Sequence, residues 1–146
     1  MKIQFTLNNN KIETNVQPGQ TLLEYLRENN IYSVKYGCDN GECGSCTVLI
    51  NGKAQNSCLM LIHTVNNCNI ETVESFSDHK TLHPLQKSFL DEGAVQCGYC
   101  TPGMILSTEA LIRENTKPNV DEIKDALAGN LCRCTAYVKP IKAVHK

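Results

Sequence analysis

The chain has 146 residues, 14 lysines and arginines against 15 aspartates and glutamates, and a formal net charge of −1. That length allows one ordinary domain or two small ones, and the balanced charge argues against a nucleic-acid-binding protein, which normally carries a basic excess on one face. No apolar run is long enough to cross a bilayer, and the amino terminus lacks an apolar signal segment. We therefore expect a soluble cytoplasmic protein that binds neither nucleic acid nor membrane.

The first predicted elements are a β-hairpin and a helix. Polar and apolar residues alternate from Lys2 to Leu7 and from Lys11 to Val16, and three asparagines between them supply the turn. A helix is predicted from Leu22 to about Glu28, because Thr21 and Glu24 have the spacing of a capping box.

A loop, a second hairpin and a last short strand are predicted next. Residues 38–46 contain two glycines and no periodicity, which is typical of a loop. Strands over 47–50 and 53–55 flank Asn51-Gly52, the preferred residue pair for a type I′ turn. A short strand over 69–73 completes a small mixed sheet with one helix.

The chain changes character in the polar segment 74–81, so we predict two domains, residues 1–75 and residues 76–146. Beyond the boundary the apolar spacing becomes helical. Pro84 suits the first turn of a helix, and Gly93 is a plausible stop signal.

Three more helices are predicted in the second domain. Thr101 is the expected N-cap of one helix, with Pro102 at its first position. Another covers 121–128, and the last follows Thr135, where Pro140 is tolerable only within the first turn.

Nine cysteines are unusual for such a chain, and in a reducing cytosol they indicate metal ligation or redox chemistry rather than disulfides. The first set is Cys38, Cys43, Cys46 and Cys58, in which the first three are spaced C-x4-C-x2-C. This is the plant-type pattern for a 2Fe–2S cluster. Zinc is the rival ligand, but Cys58 lacks the nearby second cysteine that a zinc ribbon uses.

The second set is Cys97, Cys100, Cys132 and Cys134, which form two short pairs separated by 31 residues. The pairs can supply four thiolates if a helical hairpin brings them together. Spacing alone leaves an iron–sulfur cluster, a zinc site and a dithiol redox site open.

Three segments resemble the molybdenum hydroxylases of the xanthine dehydrogenase family. Gly37–Thr47 is similar to the first cluster loop of that family, Gly93–Gly103 to its second cluster loop, and Gly129–Thr135 to its closing motif. The motifs match in order, so the resemblance covers nearly the whole chain.

The resemblance implies an α+β fold: an N-terminal plant-type ferredoxin-like (β-grasp) domain followed by a C-terminal all-α four-helix 2Fe–2S domain. It implies a non-catalytic iron–sulfur subunit in a hetero-oligomer. A large partner subunit would carry a molybdopterin-type molybdenum cofactor, and a medium partner subunit would carry FAD. Electrons would pass from the molybdopterin site through the second cluster and then the first to FAD.

The resemblance also assigns individual residues. Cys38, Cys43, Cys46 and Cys58 match the ligands of one 2Fe–2S cluster, and Cys97, Cys100, Cys132 and Cys134 match those of the other. Gln96 matches a position that contacts the pterin, and Cys134 matches the ligand nearest to it. The family motif continues Cys-Thr-Gly-Tyr, whereas this chain has Ala136 in place of the glycine, which is strained if the position needs a positive φ.

Two other functions stay open at this point: a freestanding two-cluster ferredoxin-type carrier and a zinc-stabilised interaction module. The remaining candidates have plainer interpretations. Cys68 belongs to neither set and is expected to pack as a small apolar residue, and His83 can cap a helix. Arg133 lies between two ligands and has two equally open interpretations. Its charge raises the reduction potential of a cluster, or the residue serves in packing or at an interface.

Overall fold

A computed structural model describes residues 1–145, in which five strands and five α-helices follow one another. The strands are β1 (Lys2–Leu7), β2 (Asn10–Asn15), β3 (Thr47–Ile50), β4 (Lys53–Asn56) and β5 (Asn69–Glu71). The helices are α1 (Leu22–Glu28), α2 (Pro84–Asp91), α3 (Thr101–Glu114), α4 (Val120–Leu127) and α5 (Val138–His145). We call residues 1–75 the sheet half and residues 76–145 the helical half.

The five strands form one mixed sheet in the order β2-β1-β5-β3-β4. In this order the two predicted hairpins lie at opposite edges of the sheet. The β1–β5 pair is parallel, and the other three pairs are antiparallel. Helix α1 covers one face with Leu22, Leu23 and Leu26, which are fully buried. The predicted capping box of α1 is confirmed, since the Thr21 side chain accepts from the Glu24 N–H and the Glu24 carboxylate accepts from the Thr21 N–H.

Both predicted turns have the backbone that their residues favour. Asn8 and Asn9 between β1 and β2 have positive φ, as do Asn51 and Gly52 between β3 and β4. Asparagine and glycine enter this left-handed region at lower cost than other residues, which is why these pairs close tight hairpins.

The predicted strand over 69–73 is too long. The strand β5 ends at Glu71, and Val73–Ser75 forms a short 3₁₀ helix. The Thr72 carbonyl accepts hydrogen bonds from both the N–H and the hydroxyl of Ser75, and these bonds turn the chain out of the sheet.

The helical half packs four helices around Phe89, Met104, Ile123 and Leu127, which are almost completely buried. His83 caps α2 with its ring nitrogen, which accepts from the Leu85 N–H.

The cap predicted for α3 is wrong, because Thr101 is itself helical and Cys100 occupies the N-cap position without a side-chain bond. The helix predicted over 121–128 is observed as Val120–Leu127, one residue earlier. Pro140 lies in the first turn of α5, as expected. No helix within residues 1–145 combines the length and apolar character that a bilayer crossing requires.

The two halves are in direct contact through α3, which packs against β3 and β4. Arg113 near the end of α3 donates two hydrogen bonds to the Glu71 carboxylate of β5, at 2.8 and 2.9 Å. The packing of α3 against the sheet places the start of this helix, and with it the second cysteine set, beside the loop that carries the first set.

Candidate metal centres

The first cysteine set is assembled by one loop and one hairpin. Cys38, Cys43 and Cys46 lie between α1 and β3, and Cys58 lies in the 3₁₀ helix that follows β4. Because β3 and β4 are antiparallel with Thr47 opposite Asn56, the end of β4 returns next to Cys46. The Ser57 N–H, next to Cys58, donates to the Cys46 carbonyl over 3.2 Å, so Cys46 and Cys58 are neighbours.

Backbone N–H groups of the loop point at the Cys38 sulfur. The N–H groups of Glu42 and Cys43 donate to Cys38 Sγ, each over 3.3 Å. Donation from the backbone of Asn40 and Cys43 lowers the pKa of Cys38 to about 7. A loop that stabilises a thiolate in this way suits an electron-rich cluster of sulfur ligands.

The opposite shift occurs at Cys58 on the other side of the loop. Burial, together with the neighbouring Cys46 thiol, raises the pKa of Cys58 to about 12. A buried thiol of this kind releases its proton readily only when a cation offsets the thiolate charge.

One glycine of the loop is required by close approach to sulfur. A Cβ atom on Gly37 would lie 2.4 Å from Cys43 Sγ and 2.5 Å from Ser45 Oγ. Any larger residue at this position would therefore displace a side chain of the first set, which explains why the loop begins with glycine.

The second set is assembled from two separate loops. Cys97 and Cys100 precede α3, and Cys132 and Cys134 lie between α4 and α5. Cys100 and Cys132 both pack against the core of the helical half, and each side chain acts on the pKa of the other. The structure therefore brings together the two pairs that the sequence separates by 31 residues.

Thiol acidity is also unequal within the second set. Burial, followed by the Cys132 thiol, raises the pKa of Cys100 to about 12. Burial also acts to raise the pKa of Cys132, but hydrogen bonds from the Thr135 hydroxyl and N–H, at 3.0 and 3.4 Å, lower it overall. The Tyr137 hydroxyl accepts from the Cys132 N–H over 2.9 Å and fixes the backbone of this residue.

One edge of the second set faces outward. Cys97 and Cys134 are exposed, whereas Cys100 and Cys132 are partly buried. The Gln96 side chain donates to the Cys134 carbonyl over 3.2 Å, so the two residues that the family resemblance linked to the pterin are neighbours.

The two cysteine loops touch each other where the halves meet. The Leu131 N–H donates to the Cys43 carbonyl over 2.9 Å. The buried Asn130 side chain donates to the Gly44 carbonyl over 3.1 Å and contacts the Thr47 hydroxyl at 3.3 Å. Sequence reasoning missed Asn130 as a residue of the site, because no periodicity or ligand spacing marks an amide that acts across 86 positions.

The remaining candidates lie outside both sets. Cys68 packs against the sheet core as a partly buried side chain, and Arg133 is exposed. Within residues 1–145, no group of three or more Cys, His, Asp or Glu side chains has the arrangement for a single metal ion.

The donor set fits an iron–sulfur cluster at each position. All-thiolate ligation and N–H donation to sulfur are what such clusters use. In addition, the buried Thr101 hydroxyl next to Cys100 has no hydrogen-bond partner in the described chain.

Two family profiles match the two halves. A profile for a 2Fe-2S iron-sulfur cluster binding domain matches residues 5–66. A second profile, for a 2Fe-2S binding domain, matches residues 72–145. Each profile contains one of the two cysteine sets.

Proteins of known function and structure are similar to nearly the full chain. The nicotinate dehydrogenase small FeS subunit of Eubacterium barkeri is 46% identical, over 97% of this chain and 91% of its own. The xanthine dehydrogenase iron-sulfur-binding subunit of Escherichia coli O157:H7 is 43% identical, over 97% and 91%. The crystal structure of quinoline 2-oxidoreductase from Pseudomonas putida 86 matches with a TM-score of 0.96 and 41% identity, over 100% of this chain and 91% of that chain.

Proposed function

Because the chain belongs to the family of 2Fe–2S subunits of the molybdenum hydroxylases, we propose that its two cysteine sets each bind one 2Fe–2S cluster. It is the electron-transfer subunit of an oxidoreductase of this family and does not itself catalyse a reaction. Cys38, Cys43, Cys46 and Cys58 would hold one cluster, and Cys97, Cys100, Cys132 and Cys134 the other. The domain boundary after residue 75 is part of the same proposal.

The observation that carries this assignment is the pairing of thiols. A 2Fe–2S cluster has two irons and four cysteine ligands, so each iron takes two thiolates. Cys58 follows Ser57, whose N–H donates to the Cys46 carbonyl, and Cys46 acts on the pKa of Cys58. Cys132 acts in the same way on the pKa of Cys100. When bound, such a cluster accepts and releases one electron, while the chain supplies ligands, N–H donors and exclusion of water.

The exposed edge of the second set supports a place for the molybdenum cofactor. We propose that a large partner subunit presents the molybdopterin-type cofactor to Gln96 and Cys134. Gln96 is held against the Cys134 backbone by its side-chain hydrogen bond. Its carbonyl oxygen is therefore left to accept a hydrogen bond from a ligand at this edge.

We propose that a medium partner subunit with FAD takes the electrons that leave the first set. In this order electrons pass from the second cluster to the first, and the hydrogen bond from the Leu131 N–H to the Cys43 carbonyl lies on the short path between the two sites. The relatives include nicotinate, xanthine and quinoline oxidoreductases as well as aldehyde oxidases and aldehyde oxidoreductases, so the substrates we propose for the complex span small heterocycles and aldehydes. The cytoplasmic location stays a prediction.

The proposal is tested by purifying the complex from its host under anaerobic conditions. Iron, sulfide, molybdenum, zinc and flavin are assayed, and the copurifying chains are resolved on a gel. We expect two irons and two sulfides for each of two clusters, together with molybdenum, flavin and two larger chains. Iron without partner chains would indicate a freestanding carrier, and zinc in place of iron would overturn the proposal.

Cysteine variants test the two ligand sets separately. Cys100→Ser is expected to remove only the second cluster's electron paramagnetic resonance (EPR) signal, and Cys58→Ser only the first cluster's. The matched control is Cys68→Ala, which removes a thiol outside both sets and is expected to leave both signals and the iron content unchanged. Loss of a cluster in the control, or two intact clusters in Cys100→Ser, would contradict the assignment.

A further inference from the structure

A lysine of the sheet half lies against a tyrosine of the second cysteine loop. Lys35 lies three positions before Cys38, yet its ammonium group sits 5.3 Å from the ring centre of Tyr99. Tyr99 stands between Cys97 and Cys100 in the sequence. The Tyr99 hydroxyl also donates to the Tyr36 carbonyl, so the ring is tied to the residue next to Lys35.

The structure fixes Lys35 on both its backbone and its side chain. The Lys35 N–H donates to the Ser45 carbonyl over 3.0 Å, and the Ser45 hydroxyl donates to the Lys35 carbonyl over 3.2 Å. The ammonium group donates to the Ser33 carbonyl over 3.3 Å. A half-buried cation held in this way interacts with nearby charges more strongly than a mobile surface lysine does.

Charges of both signs surround the ammonium group. Burial lowers the pKa of Lys35, the charge of Glu74 raises it, and the charge of Arg27 lowers it, while Cys100 and Cys97 raise it by smaller amounts. The Glu74 carboxylate is held in place by the hydroxyls of Ser33 and Thr72, each at 2.6 Å. Lys35 and Glu74 are therefore opposite charges that are both held by Ser33, and Lys35 lies against Tyr99 of the second cysteine loop.

Arg133 provides the contrast within the second set. It stands between Cys132 and Cys134 in the sequence, but its side chain is exposed. Water and salt screen an exposed charge, so closeness in sequence does not make Arg133 the stronger influence.

We propose that Lys35 is a positioning residue in the sheet half that raises the reduction potential of the cluster on Cys97, Cys100, Cys132 and Cys134, and that Glu74 opposes it. This inference rests on the proposed cluster assignment. One-electron reduction adds a negative charge without making or breaking a bond, and a fixed cation stabilises the reduced form. Reduction of the second cluster by electrons from the substrate would therefore depend on a residue of the sheet half.

The experiment is a redox titration of the full-length chain carrying both clusters, followed by EPR, with the second signal identified through Cys100→Ser. In Lys35→Gln we expect the ratio of reduced to oxidised second cluster at a fixed potential to fall roughly three- to tenfold. A tenfold change corresponds to about 59 mV for a one-electron couple. Glu74→Gln is expected to shift the ratio in the opposite direction, and Lys35→Arg to stay near the wild-type value.

If Lys35→Gln and Glu74→Gln shift the reduction potential of the second cluster in opposite directions, the effect is electrostatic and is not a general loosening of the structure. Lys80→Gln removes an exposed lysine of the segment before α2 and is the control for net charge. The inference is overturned if Lys35→Gln and Glu74→Gln shift the second potential in the same direction, or if only the first potential moves. If Lys35→Gln fails to fold, the upward shift in Glu74→Gln decides the question. Wild-type chain without two clusters would instead contradict the proposed function.

Discussion

The two cysteine sets are built in different ways. The first set draws three of its four thiols from one nine-residue loop, and the β3–β4 hairpin returns Cys58 to it. The second set draws two thiols from the loop before α3 and two from the loop after α4. The first site is therefore mainly local, whereas the second exists only when the helices have packed.

Because of this difference, the geometry of the second site depends on how the two halves pack, and that of the first site depends on it less. The second site meets the first at a tight junction formed by Gly44, Gly103 and Asn130. A local loop can keep its geometry when its surroundings relax, but two loops brought together by packing cannot. We therefore expect damage at the junction to affect the second site more than the first.

The largest effect is expected from Gly103→Ala. A Cβ atom on Gly103 would lie 2.5 Å from the Gly44 carbonyl oxygen and 2.9 Å from the Asn130 side chain. Backbone must shift to accept it, so we expect a loss of about 3 kcal/mol in the free energy of unfolding. Urea unfolding measures this loss, and EPR shows whether the second signal broadens first.

Gly129→Ala is the matched control for that substitution. A Cβ atom on Gly129 would have no neighbour within 4 Å. We expect a change within about 0.5 kcal/mol. Equal effects of the two glycine substitutions would show that the junction is not the tight contact described above.

Asn130→Ala is expected to have the next largest effect. The side chain is 3% exposed and donates across the junction, so its removal deletes a buried hydrogen bond and leaves a void. We expect a loss of about 2 kcal/mol in the free energy of unfolding. Asn69→Ala, at an exposed asparagine of β5, is the control. A similar loss in the control would place the effect outside the junction.

Arg113→Gln tests the second link between the halves. The guanidinium of Arg113 lowers the pKa of the Glu71 carboxyl chiefly through its hydrogen bonds. Because Arg113 is 38% exposed, we expect a loss of only about 1 kcal/mol at pH 7.

The Arg113–Glu71 link should depend on pH in a defined direction. A carboxyl whose pKa is lowered in the folded state stabilises the fold above its ordinary value of 4.5, and this contribution is lost as the pH falls through the lowered value. The stability difference between wild type and Arg113→Gln should therefore shrink on acidification. A difference that grows in acid would contradict the ion pair. The control Lys87→Gln breaks only an exposed pair within α2.

The smallest predicted effect has the opposite sign. Ala136 has a φ of +50°, so the position does need the left-handed conformation that the glycine of the family motif supplies. Ala136→Gly relieves this strain but adds freedom to the unfolded chain, and we expect a net gain of about 0.5 kcal/mol. Ala126→Gly, within α4, should instead lose about 1 kcal/mol. Urea unfolding of both variants compares the signs, and a loss in Ala136→Gly would contradict the strain.

The mostly local features of the molecule were predictable from the sequence. The capping box of Thr21 and Glu24, the Asn51-Gly52 turn and the cap at His83 each depend on residues within a few positions of one another. The error at Thr101 has the same origin. A cap prediction depends on knowing which residue is the first helical one. Here that residue is Thr101, so Cys100, the last residue of the second cysteine loop, occupies the N-cap position.

The amino-acid sequence by itself determined the cysteine spacing, the glycine-rich loops and the division into a sheet half and a helical half, because hydrophobic period and local turn chemistry are properties of neighbouring residues. Only the tertiary structure decided which residues of the two cysteine loops meet and which residues close the junction. Tyr99 meets Tyr36 across 63 positions, and Asn130 meets Gly44 across 86. Contacts of that separation follow from how the packed halves fit together, and no local pattern encodes them.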